Sequence, residues 1–352
     1  MPEIRIDPLS GHRTIVAGER SRRPGGAPAL SDQERAPEPI DPERDPFADG
    51  NEDRTPPELY AVRPGGGVPD SPGWTVRVVP NLYPALAPAG DSTASDPTEV
   101  AGAGSATDTT TREGPRGAAL AELFSSLPAT GVHEVIVNGP QPVLSLAELP
   151  VEQVAAAMDA WRERMRVHED RACVQLIVNE RRQAGASLPH THAQLYGLDF
   201  VPAAVARERE RAGAYATRTM GQNLLGDVVA EEVRLRERIV AIDDEAVLMA
   251  PFASRLPFQL MLAPRRPVAR FEQDGPTGAA LLHDGLRRLA RHLGASPPLN
   301  MWVRTAPRGT EHFCWRIDVL PRLTHLAGLE LSTDLNLNIV APEHAAALLR
   351  DA

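Results

Sequence analysis

His190, His192 and Gln194 stand at alternate positions at the end of the stretch NERRQAGASLPHTHAQ, residues 179–194. On a strand, such spacing sends all three side chains to one face. Leu195 and Tyr196 continue the same strand. Just upstream, Gly185 and Ser187 form a small-residue turn whose backbone N–H groups can approach a phosphate closely. Imidazole is neutral and nucleophilic near neutral pH, and a phosphoryl group carried on histidine is labile enough to be passed on. A phosphate set before two imidazoles, an amide and a hydroxyl is therefore well placed for attack at phosphorus. Two histidines on a strand are also common as packed or metal-bound residues. The joint presence of Asn179, Gly185, Ser187 and Gln194 favours the phosphate reading.

The elements that must carry this stretch come as two similar series. In the first, a strand at Val132–Val137 precedes a helix over 151–167, where Val151, Val154, Met158, Trp161 and Met165 follow helical spacing. Strands at Cys173–Asn179 and His190–Gly197 follow. In the second, a strand at Phe258–Ala263 precedes a helix near 278–293, then strands at Leu299–Arg304 and Phe313–Leu320. Trp74–Val79 adds a further strand. Two strand–helix–strand–strand units with short links predict an α+β fold, a duplicated, mainly antiparallel sheet with helices on one face. The expected halves are 1–200, carrying the histidine motif, and 201–352. Residues 25–45 read as a surface loop. Residues 89–117, small and polar, read as a disordered insertion. Trp74, Trp161, Trp302 and Trp315 are expected to fill the core. His133 reads as a packed or strand-end histidine, and His312 and His325 show no ligand spacing.

Composition bounds the rest. A formal charge of -10 argues against general nucleic-acid or membrane binding. No run approaches the roughly 18 apolar residues that span a bilayer, and the N-terminus has no secretory h-region, so a cytoplasmic protein is expected. Cys173 and Cys314 lie in apolar runs and read as buried, reduced thiols. All basic residues are arginines, which leaves arginine as the fixed cation for phosphate recognition.

The pattern Asn179, Gly185-x-Ser187, His190-x-His192-x-Gln194 resembles that of the galactose-1-phosphate uridylyltransferase family, within the histidine-triad superfamily. Arg5-Ile-Asp7-Pro8-Leu9-Ser10-Gly11, Arg20 to Pro24, Arg77-Val-Val-Pro80-Asn81 and Ala327-Gly328-Leu-Glu330 extend the likeness over most of the chain. The resemblance implies a duplicated histidine-triad fold and a ping-pong mechanism through a nucleotidyl-histidine. It implies His192 as nucleophile and Gln194 as holder of the phosphoryl oxygen. An amide cannot protonate a leaving group, so transfer to a second phosphate is favoured over hydrolysis. It further implies Asn179 and Ser187 on the phosphates, Asn81 on the nucleoside side, Arg20 as a phosphate-binding cation and Glu330 on the sugar, often across a dimer interface. A homodimer acting on a nucleotide sugar and a sugar 1-phosphate is thus expected.

Departures from the family matter as well. Its zinc ligands would fall at Asp45, Ala48, Pro142 and His190, and alanine and proline offer no side-chain donor. A second metal site falls at Arg304 and Arg316. No metal and no cofactor is therefore expected. Arg181 replaces a glycine and is expected to narrow or recharge the nucleotide pocket. Thr324 replaces a lysine near the sugar phosphate. The implied activity is UDP-glucose:hexose-1-phosphate uridylyl transfer. The alternatives are a nucleotide-sugar (ADP-glucose-like) or dinucleoside-polyphosphate phosphorylase using inorganic phosphate, and an inactive nucleotide-sugar-binding protein.

Overall fold

The strands over 192–198 and 299–304 alternate buried with half-buried side chains, and that alternation decides which face each one buries. The computed structural model describes residues 2–22, 28–36, 38–87, 123–124 and 126–352; the expected insertion at 89–117 lies outside them. The hairpin β1 (Glu3–Ile6) and β2 (Arg13–Val16) leads to a one-turn helix α1 (Asp32–Arg35), which Ser31 and Glu34 close with a capping box. The strands β3 (Tyr60–Val62), β4 (Val76–Pro80) and β5 (Gly131–Val137) follow. Then come helix α2 (Val151–Val167) and strands β6 (Cys173–Glu180) and β7 (His192–Leu198). Helices α3 (Ala203–Arg218) and α4 (Leu224–Leu235) connect to β8 (Ile239–Ile242), β9 (Ala246–Met249) and β10 (Leu260–Pro264). The chain ends with α5 (Ala279–Leu293), β11 (Leu299–Arg304), β12 (Arg316–Pro321), α6 (Gly328–Thr333), β13 (Asn336–Asn338) and α7 (Pro342–Arg350).

Ten strands form one sheet in the order β3-β4-β5-β7-β6-β11-β12-β10-β9-β8, and β1, β2 and β13 form a separate sheet of three. All neighbours in the large sheet run antiparallel. The order β5-β7-β6 on one side of the centre is mirrored by β10-β12-β11 on the other, so the expected repeat is realised as one continuous sheet. β6 and β11 join the two units, with Asn179 opposite Asn300 and Ile177 opposite Trp302.

One face of the sheet is dry. Val178, Leu176, Leu195, Met301, Val303, Ile317 and Val319 pack there beneath Met158, Trp161 and Met165 of α2 and Leu282, Leu286 and Leu289 of α5. The other face differs from the expectation of helices on one side only. Leu224, Leu225 and Val229 of α4 cover Val247, Met249, Met261 and Ala263, the residues of β9 and β10 that face away from α5. The charged sequence of α3, whose buried positions are Val205, Glu208, Ala212 and Ala216, concealed this hairpin. Because α4 covers β9 and β10, the second face of β5, β7, β6 and β11 remains available for a site.

Four strands begin later than expected. The most consequential is β7, which starts at His192 and leaves His190 in the preceding bend. Trp302 also departs from expectation. Trp74, Trp161 and Trp315 are buried in the core, but Trp302 sits half-buried on the second face, its indole N–H without a partner among the described residues.

Candidate active site

The entry to β7 is pinned from α2. Trp161 Nε1–H donates to Asn138 Oδ1 (3.0 Å), and Asn138 Nδ2 donates to Thr191 Oγ1 (3.2 Å). The Thr191 N–H donates to the Val143 carbonyl (2.8 Å). Asn138 has no solvent exposure, so the residue between the two histidines is held from the dry side of the sheet.

His190 does not share the face of His192, contrary to the alternation expected from a strand. Its ring is buried, with Nδ1 2.6 Å from Asp45 Oδ2 and Nε2 2.7 Å from the Gly139 carbonyl. Both ring nitrogens are thus engaged, one by a carboxyl group and one by a main-chain carbonyl. The other oxygen of Asp45 accepts the Phe47 N–H (3.0 Å). Asp45, read from sequence as a lost ligand, is thus the anchor of His190.

That anchoring orients His192. Its Nδ1–H donates to the His190 carbonyl at 2.8 Å, leaving Nε2 with no partner among the described residues. Burial, working against charge, holds the His192 pKa below the ordinary imidazole value, so the ring is neutral and Nε2 carries a lone pair. Phe47 lies edge-on to it at 5.2 Å between centroids. The result is a desolvated imidazole with a fixed tautomer and an available lone pair, the form in which histidine can act as a nucleophile.

Amides surround it. Val137 of β5 pairs with His192, and the register of β6 places Asn179 one step beyond the pair Val178–Ala193, beside His192. Asn179 Oδ1 accepts from Asn300 (2.8 Å), which turns its NH2 outward, and Gly185 lies against that NH2. Gly185 has φ +91, a conformation glycine adopts without strain. Gln194 and Asn81 both approach His133 Nε2, at 3.0 and 3.1 Å. Ser187 is exposed on the turn before His190. Asn300, Asp45, Asn138 and His133 escaped sequence reasoning as site residues, because the pairings that give them a role lie far away along the chain.

A sequence model described as galactose-1-phosphate uridyl transferase, N-terminal domain, matches residues 1–202. The chain belongs to this family. A second model, a domain of unknown function (DUF4921), matches residues 149–351. The ADP-glucose phosphorylase of Arabidopsis thaliana is 26% identical over 99% of this chain and 93% of its own length. A galactose-1-phosphate uridylyltransferase of Cryptococcus neoformans is 27% identical over 99% and 89%. Among solved structures, the Arabidopsis thaliana ADP-glucose phosphorylase with bound ADP-glucose superposes with a TM-score of 0.75 at 24% identity, covering 100% of this chain and 99% of that one. A uridylyltransferase structure gives 0.68 at 24%, covering 100% of this chain and 98% of that one. The fold is therefore that of the family, and its enzymes are nucleotidyltransferases and phosphorylases.

The remaining family positions are distributed differently. Arg20 is exposed on the one-turn segment after β2 and lines a cleft of about 950 Å³ with Arg5, Phe258, His292 and His344. Glu330 caps α6, accepting the Ala327 N–H at 2.9 Å. No hydrogen bond or ion pair joins either to the His192 group among the described residues. Arg181 does not reach the site: its Nη1 donates to the Glu34 carbonyl at 2.9 Å. Arg304 and Arg316 belong to a buried ion cluster. Glu208 of α3 takes Arg316 in a bidentate pair (2.9 and 3.0 Å), Asp318 takes Arg316 Nε (2.9 Å), and Arg304 Nε lies 3.4 Å from Glu208. Burial opposes the charge on Arg316, but Asp318 and Glu208 outweigh it and raise its pKa.

Proposed function

We propose that this protein transfers a nucleoside monophosphate from a nucleotide sugar to a second phosphate through His192. His192 Nε2 attacks the phosphorus next to the nucleoside. A P–N bond forms, the P–O bond to the sugar-bearing phosphate breaks, and the sugar 1-phosphate leaves as an anion that needs no proton. An acceptor phosphate then reverses these steps on the nucleotidyl-histidine. The observation that carries this reading is the His192 ring itself, neutral, desolvated and fixed with Nε2 free.

The acceptor defines two forms of one reaction. The first is uridylyl transfer between UDP-glucose and a hexose 1-phosphate. The second is phosphorolysis of an ADP-glucose-like nucleotide sugar by inorganic phosphate. Thr324 in place of a lysine, together with a phosphorylase relative matched over 93% of its length, supports the second.

The reading is metal-free. Ala48 and Pro142 bring no donor, and Asp45 and His190 are already bonded to each other. Among the described residues, no group of three or more His, Cys, Asp or Glu side chains is placed to hold a metal ion. The active form is a homodimer in which Arg20 and Glu330 serve the partner's His192. Leu326, Leu329 and Leu331 near Glu330, and Leu82 and Tyr83 near Asn81, are exposed apolar side chains that such an interface covers.

Incubation with radiolabelled UDP-glucose or ADP-glucose should place acid-labile, base-stable label on the protein, and His192→Ala should abolish it. Persistent label in that variant removes His192 from the role. Chasing the labelled protein with phosphate, glucose 1-phosphate or galactose 1-phosphate separates the two acceptors.

A further inference from the structure

His133, on β5 and opposite Tyr196 in the β5–β7 register, has a tautomer set by the main chain. The Ala85 N–H donates to His133 Nδ1 at 3.0 Å. A backbone N–H can only donate, so Nδ1 is the bare nitrogen and the proton of the neutral ring sits on Nε2. Burial lowers the pKa of this ring and so keeps it neutral. The Nε2–H faces Gln194 Oε1 at 3.0 Å, and the Tyr196 hydroxyl donates to the same oxygen at 2.9 Å. The rings of His133 and Tyr196 stack at 4.2 Å, which holds the two donors side by side. With its carbonyl oxygen engaged twice, Gln194 can present only its NH2 to a ligand. Asn81 is oriented in a related way. Its Oδ1 accepts the Tyr83 N–H (2.8 Å), and its NH2 lies 3.1 Å from His133 Nε2, on the same side of the ring as Gln194.

We propose that His133 is a positioning residue for the transfer reaction, fixing the Gln194 amide so that it offers hydrogen-bond donors, never its carbonyl oxygen, to the phosphoryl group on His192. An amide free to turn spends part of its time with that oxygen toward the phosphoryl oxygens, where it repels them. A fixed donor stabilises the charge that develops in the transition state without reorganising. This inference rests on the nucleotidyl-transfer reading above and adds a residue to it.

The test uses the full-length protein and rapid-quench labelling with radiolabelled ADP-glucose and UDP-glucose. His133→Ala should slow formation of the nucleotidyl-enzyme by roughly 10- to 100-fold with little change in KM, less than the loss of a whole oxyanion donor costs. His133→Gln, which keeps an N–H near the Nε2 position, should recover most of the rate. The double variant His133→Ala/Gln194→Ala should be no slower than Gln194→Ala alone, because both changes remove one function. Rates that multiply in the double variant, or a loss in His133→Ala of less than about threefold, overturn the proposal. A merely structural role would lower the melting temperature of His133→Gln and His133→Ala alike and leave the two effects additive. Histidine 15N shifts supply a readout independent of turnover: an Nε2–H tautomer for His133 upholds the geometry, and an Nδ1–H tautomer overturns it. Wild-type protein that takes no label from either sugar nucleotide defeats the transfer reading, and the tautomer then decides the geometry by itself.

Discussion

His192 combines two properties that usually oppose each other: it is shielded from water, yet its Nε2 has no partner among the described residues. The Nδ1–H bond to the His190 carbonyl and the burial of the ring together produce this. The sign of the pH effect follows. Burial disfavours the imidazolium, so the ring is unprotonated at neutral pH and becomes protonated, and unreactive, only on the acid side. The acid limb of kcat/KM for the nucleotide sugar, whose diphosphate does not titrate in this range, should have its midpoint below the ordinary 6.5. A midpoint at or above that value contradicts the tautomer and burial described here. Asp45 belongs to the same argument. Asp45→Asn removes the carboxyl group that holds one nitrogen of a ring whose other nitrogen meets a main-chain carbonyl, and losing a buried hydrogen bond of this kind costs about 1–3 kcal/mol. The melting temperature should fall, and the rate of nucleotidyl-enzyme formation with it, since the carbonyl that orients His192 belongs to His190. Unchanged stability in that variant would mean that the pair is not formed.

At the level of elements, the site depends on how closely β5 lies against β7. Gly131 makes this approach possible: a Cβ there would meet the Gly197 carbonyl oxygen at 2.3 Å, and its φ of +152 disfavours other residues. The neighbouring backbone cannot withdraw without breaking the ladder that pairs His133 with Tyr196 and Val135 with Gln194. Gly131→Ala should therefore destabilise the protein by about 1–3 kcal/mol, as overpacking does, and should slow transfer through Gln194. Denaturation midpoints and labelling rates together check this; an Ala variant with wild-type stability and rate would mean that β5 can move. Much of this level was legible beforehand. The spacing of Val154, Met158, Trp161 and Met165 defines α2, and both series of strands fall close to their expected places. The start of β7 was not legible, because alternation of His190, His192 and Gln194 looks the same whether the first residue lies on the strand or in the bend before it. What separates them is Asp45, 145 positions earlier.

For the whole molecule, the family resemblance assigns Arg20 and Glu330 to the substrate of His192, and among the described residues no hydrogen bond or ion pair joins them to it. The proposed homodimer, in which they serve the partner's site, makes a specific prediction. Two inactive variants, His192→Ala and Glu330→Gln, each carry one intact part of a shared site. Mixed and allowed to exchange subunits, they should regain up to about half of the wild-type activity per mixed dimer, since one of its two sites is restored. No recovery, or a monomer by sedimentation, excludes a shared site. The ion cluster of Glu208, Arg304, Arg316 and Asp318 is the second feature of this scale. It joins α3 to β11 and β12, binding the α3–α4 hairpin to the sheet at positions where the family resemblance had implied a metal.

What the amino-acid order determined alone is the chemistry available and the elements that carry it: the histidine–glutamine motif, the duplicated strand–helix–strand–strand series, and the loss of donors at Ala48 and Pro142. These are local properties, set by side-chain type and by periodicities of two or about three and a half residues. Tertiary structure decided which face His190 takes, that Asp45 holds it, that Asn300 and His133 turn the amides of Asn179 and Gln194, and that Arg181 points elsewhere. Each of these depends on hydrogen bonds between groups distant in the chain, and no local pattern records them.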